Sequence, residues 1–122
     1  MAEITLPYPI SANRYWRHFR GRTIKSAAAR DYQATAKLIA AQEGVSQPLH
    51  GPIMLVMEYH PKRPKKYTGG PVRCLDVSNV VKVAEDALNG IAWIDDSQIE
   101  YLCIRKKEPV PDGALVVRWE PA

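Results

Sequence analysis

The stretch Asp76–Leu88 constrains the fold more than any other, because Val77, Val80, Val81, Ala84 and Leu88 recur at helical spacing and Asn89-Gly90 supplies a C-terminal stop. A helix of this kind must bury its apolar arc against another layer. Strands stand on either side of it to provide one. Ile53, Leu55, Met57 and Tyr59 alternate with Met54, Val56 and Glu58, the period of a strand largely buried on both faces, and Ile99–Lys107 reads as another. Glu3–Leu6 adds a short strand at the beginning, and Ala114–Trp119 a last one after the turn Pro109–Gly113. Ser26 is suited to cap an alanine-rich helix running to Gln42, with Tyr32, Ala36, Ile39 and Ala40 along one face and Gly44 ending it. The order strand, helix, strand, helix, strand, strand predicts an α+β fold: one domain over residues 1–122, with a mixed sheet of about four strands and two main helices packed on it.

Two segments fall outside these elements. Pro7, Pro9 and Ser11 impose an extended loop through Asn13. His60–Val72, with its prolines, adjacent glycines and clustered Lys and Arg, reads as an exposed, mobile loop. With 46% hydrophobic and 25% charged residues, the chain is neither disordered nor fibrous. Apolar runs are cut short by charge or proline, and the start MAEITLPYPI lacks the pattern of a signal peptide, so a cytoplasmic protein without membrane association is expected. Cys74 and Cys103 are far apart and have no CxxC partner, which points to reduced thiols and not to zinc or a disulfide framework.

The chemistry lies on the polar side of the Asp76–Leu88 helix. Asn79, Lys82 and Asp86 fall in one arc opposite the apolar one, Asp76 stands at the start, and Asp95-Asp96 follow shortly after the end. If the strand after the doublet runs back beside the start of the helix, two or three carboxylates meet at one point, a donor set suited to Mg²⁺. Phosphodiester hydrolysis needs a metal-activated water and charge stabilisation at phosphorus, which such a site and a nearby lysine would supply. Each residue also has a plainer role: Asp76 as a helix N-cap, Lys82 and Asp86 as a solvated pair, Asp95-Asp96 as a turn.

A net charge of +4 suits an anionic partner, and its placement is more telling. Arg14, Arg17, Arg20, Arg22 and Lys25 occur without an acid among them, interleaved with Tyr15, Trp16, His18 and Phe19. Phosphate contacts and stacking of unpaired bases would both fit, while Trp16 or Phe19 could equally serve the core. Lys62, Arg63, Lys65, Lys66 and Arg73 form a second acid-free patch leading to Asp76. Acids between two basic patches would repel phosphate unless a cation intervened, which favours an enzyme over a bare binding module.

The run LDVSNVVKVAEDALNG from Leu75 to Gly90, followed by WIDDSQI from Trp93 to Ile99, resembles the central motif of the RusA family of Holliday-junction resolvases, and LPYPISANRYWR from Leu6 to Arg17 is similar to that family's N-terminal loop. The likeness covers nearly the whole chain. It implies a homodimer with a mixed sheet, a Mg²⁺-binding acidic site in each subunit, and paired symmetric nicks in a four-way DNA junction during recombination and repair. It also implies a bacterial host, with a phage or prophage source. By the same resemblance Asp76 matches the first metal-binding aspartate of a DxDN pattern, Asp96 the later catalytic aspartate with Asp95 its neighbour, and Lys82 the essential lysine. The catalytic set is then Asp76, Lys82 and Asp96, and the contacts to DNA are Asn13, Arg14, Tyr15, Arg17, Arg20, Arg22 and the second basic patch.

The second aspartate of DxDN is Ser78 here, a hydroxyl that can touch a metal-bound water but adds no charge, so the metal should bind more weakly or be held chiefly by Asp76 and Asp96, with Asp95 counted among the candidate metal residues. Ile10 replaces a proline common in the family's N-terminal loop, a minor change, and Cys74 has no assigned chemistry. Ser78 opens the main alternative, a junction- or DNA-binding protein that has lost cleavage. A third reading is a structural dimer whose basic loops meet another protein, which predicts no salt-sensitive junction binding.

Overall fold

A computed structural model describes residues 1–122. Its main sheet is built from β1 (Ala2–Leu6), β4 (Ile53–His60), β5 (Ile99–Lys106) and β6 (Ala114–Pro121), in the order β1-β6-β4-β5. β6 is antiparallel to both β1 and β4, whereas β5 is parallel to β4, so the sheet is mixed as expected. The helices α2 (Ala27–Gln42) and α3 (Val77–Ala87) bury Ala29, Tyr32 and Ala36, and Val80, Val83, Ala84 and Ala87, in a core shared with Ile53, Leu55, Met57, Tyr59, Trp93 and Trp119, and Ala40 of α2 is buried as well. No helix is long and apolar enough to cross a membrane.

Three expectations need correction. β4 is fully buried on one face only: Met54, Val56 and Glu58 are half-buried on the other, where Arg118 joins Glu3 of β1 to Glu58 of β4. The buried arc of α3 centres on Val80, Val83, Ala84 and Ala87, leaving Val77 and Val81 half-buried, because the sheet lies slightly round the helix from the most apolar arc. Residues Ala12–Tyr15 form one helical turn, α1, in place of the extended loop expected through Asn13, with Ser11 as its cap.

After α1 the chain makes a hairpin that periodicity alone did not reveal, β2 (Trp16–Phe19) paired antiparallel with β3 (Arg22–Lys25). Its two-residue loop places Arg20 at φ 49° and Gly21 at φ 73°, the paired positive angles of a type I′ turn matched to the twist of a hairpin. An isolated two-stranded ribbon is marginal in water. This one is held at its root, where Ser26 N–H donates to the Tyr15 carbonyl at 2.9 Å.

β4, α3 and β5 form a parallel crossover, in which the helix must run back antiparallel to the strands before the next one begins. Its two ends are pinned differently. At the C-terminal end of β4 the buried Tyr59 hydroxyl accepts from Leu75 N–H at 3.0 Å and shares a 3.1 Å hydrogen bond with Tyr8. At the other end Gln98 accepts from the N–H groups of Ile94 and Asp95, each at 2.8 Å, and donates to the carbonyls of Leu49 and Gly51, each at 2.9 Å. A net worth of about 1 kcal/mol per hydrogen bond makes this one side chain important to the strand start. We expect Gln98→Ala to lower unfolding stability by about 2–4 kcal/mol in urea titration, and Gln98→Glu, which keeps the acceptor and loses the donor, to lose less.

Candidate active site and nucleic-acid interface

Asp76 stands at the N-cap position of α3, yet its side chain makes no capping hydrogen bond. The plainer role is therefore not the one its carboxylate plays: it is exposed at the positive end of a helix, free to take another partner. Ser78, Lys82 and Glu85 follow at spacings of four and three, a stripe on one side of the helix, with Ser78 and Lys82 exposed and Glu85 half-buried.

Asn79 and Asp86 do other work. Asn79 Oδ1 accepts from Ala12 N–H at 2.8 Å, satisfying the first turn of α1. Asp86 Oδ2 accepts from the Tyr15 hydroxyl at 2.5 Å and lies 3.3 Å from Lys25 Nζ. Burial and this carboxylate together hold the Tyr15 phenol far above its ordinary range, so it remains a donor at any physiological pH. Lys82 does not pair with Asp86; its Nζ lies 5.4 Å from the centre of the Trp16 ring. The polar arc of α3 is thus the socket in which the hairpin is seated. Ala12, Asn13, Trp16, His18, Thr23 and Lys82 line an open recess of about 460 Å³ between the two.

The carboxylates do not converge within the chain. No three His, Cys, Asp or Glu side chains group where they could hold a metal ion. The reason is the direction of the crossover. β5 does return toward the start of α3, but it arrives there with Lys106 and Lys107, whose N–H donates to the Tyr59 carbonyl at 2.8 Å, while the doublet precedes its first residue at the opposite end. The eleven residues of α3 separate those ends by roughly 16 Å.

The two members of the doublet differ. Asp95 caps the short 3₁₀ turn Asp96–Gln98, accepting from Ser97 N–H at 3.1 Å, and its hydrogen bonds with Ser97 hold its carboxyl below the usual range. Asp96 is exposed and faces Glu85, whose carboxyl is raised by burial first and by the Asp96 charge second. Glu85 was not among the residues singled out in the sequence. The signal was there: it lies two turns beyond Ser78 on the same stripe.

Among the expected DNA contacts, Arg14, Arg17, Arg20 and Arg22 and the neighbouring Asn13 are exposed on α1 and the hairpin, and none of the arginines is in an ion pair. Tyr15 is fully buried, so it cannot stack on a base; it roots the hairpin instead. Lys62, Arg63, Lys65, Lys66 and Arg73 are all exposed. Their loop is partly tied down, with Arg63 N–H donating to the Val110 carbonyl at 2.8 Å and Val110 N–H to that of Pro61 at 3.0 Å.

The Tyr15–Asp86–Lys25 cluster should control how firmly the hairpin is seated. Asp86→Ala is expected to cost about 1–3 kcal/mol, chiefly by leaving the Tyr15 hydroxyl without an acceptor, and to speed amide exchange in Trp16–Lys25 more than in the sheet. Tyr15→Phe should reproduce the faster exchange at a smaller loss of stability.

Residues 7–117 match the sequence profile of the family described as Endodeoxyribonuclease RusA. A crossover junction endodeoxyribonuclease RusA of Escherichia coli K12 is 36% identical over 113 residues, covering 90% of this chain and 85% of the relative. Proteins of the same name from Shigella sonnei and from Enterobacteria phage 82 are 36% and 35% identical over the same shares. A profile spanning both basic segments, α3 and the doublet, together with relatives this similar over this much of the chain, settles the family: the chain belongs to the RusA endodeoxyribonucleases.

Proposed function

We propose that this chain is a Mg²⁺-dependent endonuclease that acts as a homodimer inside bacterial cells and resolves four-way DNA junctions by paired symmetric nicks, with a phage or prophage as its source. The observation that carries this reading is Asp76, a carboxylate six residues before Lys82 that makes no capping hydrogen bond, on a surface whose other charges are mostly unpaired cations. A lone acid there would weaken phosphate binding, and a divalent cation removes the conflict.

The donors fit a hard cation, since Asp76 and Asp96 offer exposed carboxylate oxygens and Ser78 a hydroxyl. Asp76 and Asp96 would hold the ion; Asp95, engaged with Ser97, would chiefly fix the turn that presents Asp96. Bound there, Mg²⁺ would polarise the phosphate and lower the pKa of a coordinated water. Lys82 neutralises charge developing on the phosphate, and Trp16 keeps its ammonium at the hairpin root. Arg14, Arg17, Arg20 and Arg22 on one side, and Lys62, Arg63, Lys65, Lys66 and Arg73 on the other, bind flanking phosphates.

Because Asp76 and Asp96 lie at opposite ends of α3, one subunit supplies two half-sites. A two-fold dimer presents the same surface twice, so Asp96 of one copy can complete the site at Asp76 of the other. Glu85, beside Asp96, would return the carboxylate that Ser78 lacks. This favours cleavage over the alternative of a binding protein silenced at Ser78.

The first test is incubation of the protein with a synthetic four-way junction and a linear duplex, with and without Mg²⁺. Metal-dependent paired nicks confined to the junction are expected; a junction bound but uncut at every Mg²⁺ concentration, and cut once Ser78→Asp is introduced, would establish the silenced binding protein instead. Lys82→Ala should reduce cleavage by at least about a hundredfold and leave junction binding within a few-fold. Asp76→Asn and Asp96→Asn should each be inactive alone, while a mixture of the two regains nicking, since mixed dimers hold one intact site. No recovery on mixing would place both aspartates on one subunit's metal.

A further inference from the structure

The single phenylalanine of the chain, Phe19, is 52% exposed at the tip of the β2–β3 hairpin, where burial would ordinarily be worth most to an aromatic ring. Its surroundings are all cationic. Arg17 and Arg20 bring their guanidinium carbons within 5.8 and 5.3 Å of the ring centre, and Arg22 is its cross-strand partner. None of these arginines has an acidic partner.

Strand alternation fixes the direction of the ring. Trp16 and Lys25 face α3, as their contacts with Lys82 and Asp86 show, so Arg17 and Phe19 lie on the opposite face of the ribbon. Phe19 therefore cannot join the core by a small movement of the hairpin. Three residue steps of about 3.4 Å carry it roughly 10 Å beyond Trp16, the length of about three base-pair steps.

The cations select a polyanion, and the bare ring selects a flat apolar face beside it. A nucleobase with an uncovered face offers both. In a linear duplex each face is covered by its neighbours, whereas at a branch point the stacks are interrupted. We propose that Phe19 stacks on a nucleobase uncovered at the branch point of four-way DNA, while Arg17, Arg20 and Arg22 hold the adjoining phosphates, and that this contact sets the preference for junctions over duplex. The proposal rests on the junction-endonuclease reading above and adds a specificity determinant outside the acidic site.

The test compares the full-length protein with Phe19→Ala, Phe19→Leu and Phe19→Trp, without divalent metal so that nothing is cut. Affinities for a four-way junction and a linear duplex are measured, together with permanganate oxidation of thymines at the crossover. Phe19→Ala and Phe19→Leu should bind the junction roughly 5- to 100-fold more weakly, with duplex affinity changed less than about twofold and the thymine pattern relaxed toward that of free junction. Phe19→Trp should retain both. Arg17→Gln should instead weaken junction and duplex alike and flatten the salt dependence. Selective junction binding that survives in both Phe19→Ala and Phe19→Leu, with the thymine pattern intact, overturns the proposal and leaves the endonuclease reading standing. A parent protein that binds junction and duplex alike also overturns the proposal, because no preference is left for Phe19 to set, while the endonuclease reading is decided separately by metal-dependent nicking of the junction. Loss of binding to phosphatidylserine vesicles, with junction binding unaffected, would assign the finger to a membrane and also overturn it.

Discussion

Burial of one arc of α3 against the sheet dictates where every polar group on that helix can go. Val80, Val83, Ala84 and Ala87 are taken by the core, which leaves two stripes. Asn79 and Asp86, on the side toward the N-terminal segment, are consumed in holding α1 and the hairpin. Ser78, Lys82 and Glu85 remain on the other, and Lys82, between the stripes, touches Trp16 while staying exposed. Rotation of the helix by one residue would bury part of this chemistry and unseat the hairpin at once. The core and the candidate site are therefore one packing problem.

The parallel pairing of β4 with β5 has an equally direct effect. A crossover helix must traverse the sheet before the next strand can start, so residues before and after α3 are kept a helix length apart. Asp76 and Asp96 are among them. An antiparallel return would have allowed the meeting that their spacing in sequence suggested. The same geometry brings Lys106 toward the Asp76 end, while Lys107 beside it is paired with Glu58.

Much of this was legible in the sequence, for reasons that differ by element. α2, α3, β4 and β6 carry strong apolar periodicity, and their identities follow from it. The hairpin does not, because Arg17, His18 and Phe19 are all exposed, only Trp16 turns inward, and the four residues show no alternation of polarity. Its only local mark is Gly21 after Arg20, a weaker turn signal than Asn-Gly. The helix wheel correctly set Asn79, Lys82 and Asp86 opposite the core, but a wheel cannot say that a distant segment will fold over two of them. Likewise two of the four hydrogen bonds of Gln98 reach Leu49 and Gly51, and no feature of the DDSQ run announces those partners. Family resemblance named the acidic positions without revealing that the chain keeps them apart.

The sockets for the basic hairpin are made far downstream of it. Ala12 waits for Asn79, 67 residues on, and Tyr15 for Asp86, 71 residues on. During synthesis the cationic finger leaves the ribosome well before the helix that seats it exists, and such long-range closures come late in folding as well. For that interval the segment is an unanchored, arginine-rich tail with a solvent-exposed phenylalanine. The nascent chain thus passes through a stage when the finger's concentrated positive charge already exists and its shape does not, so the order of translation leaves that charge unplaced until α3 docks.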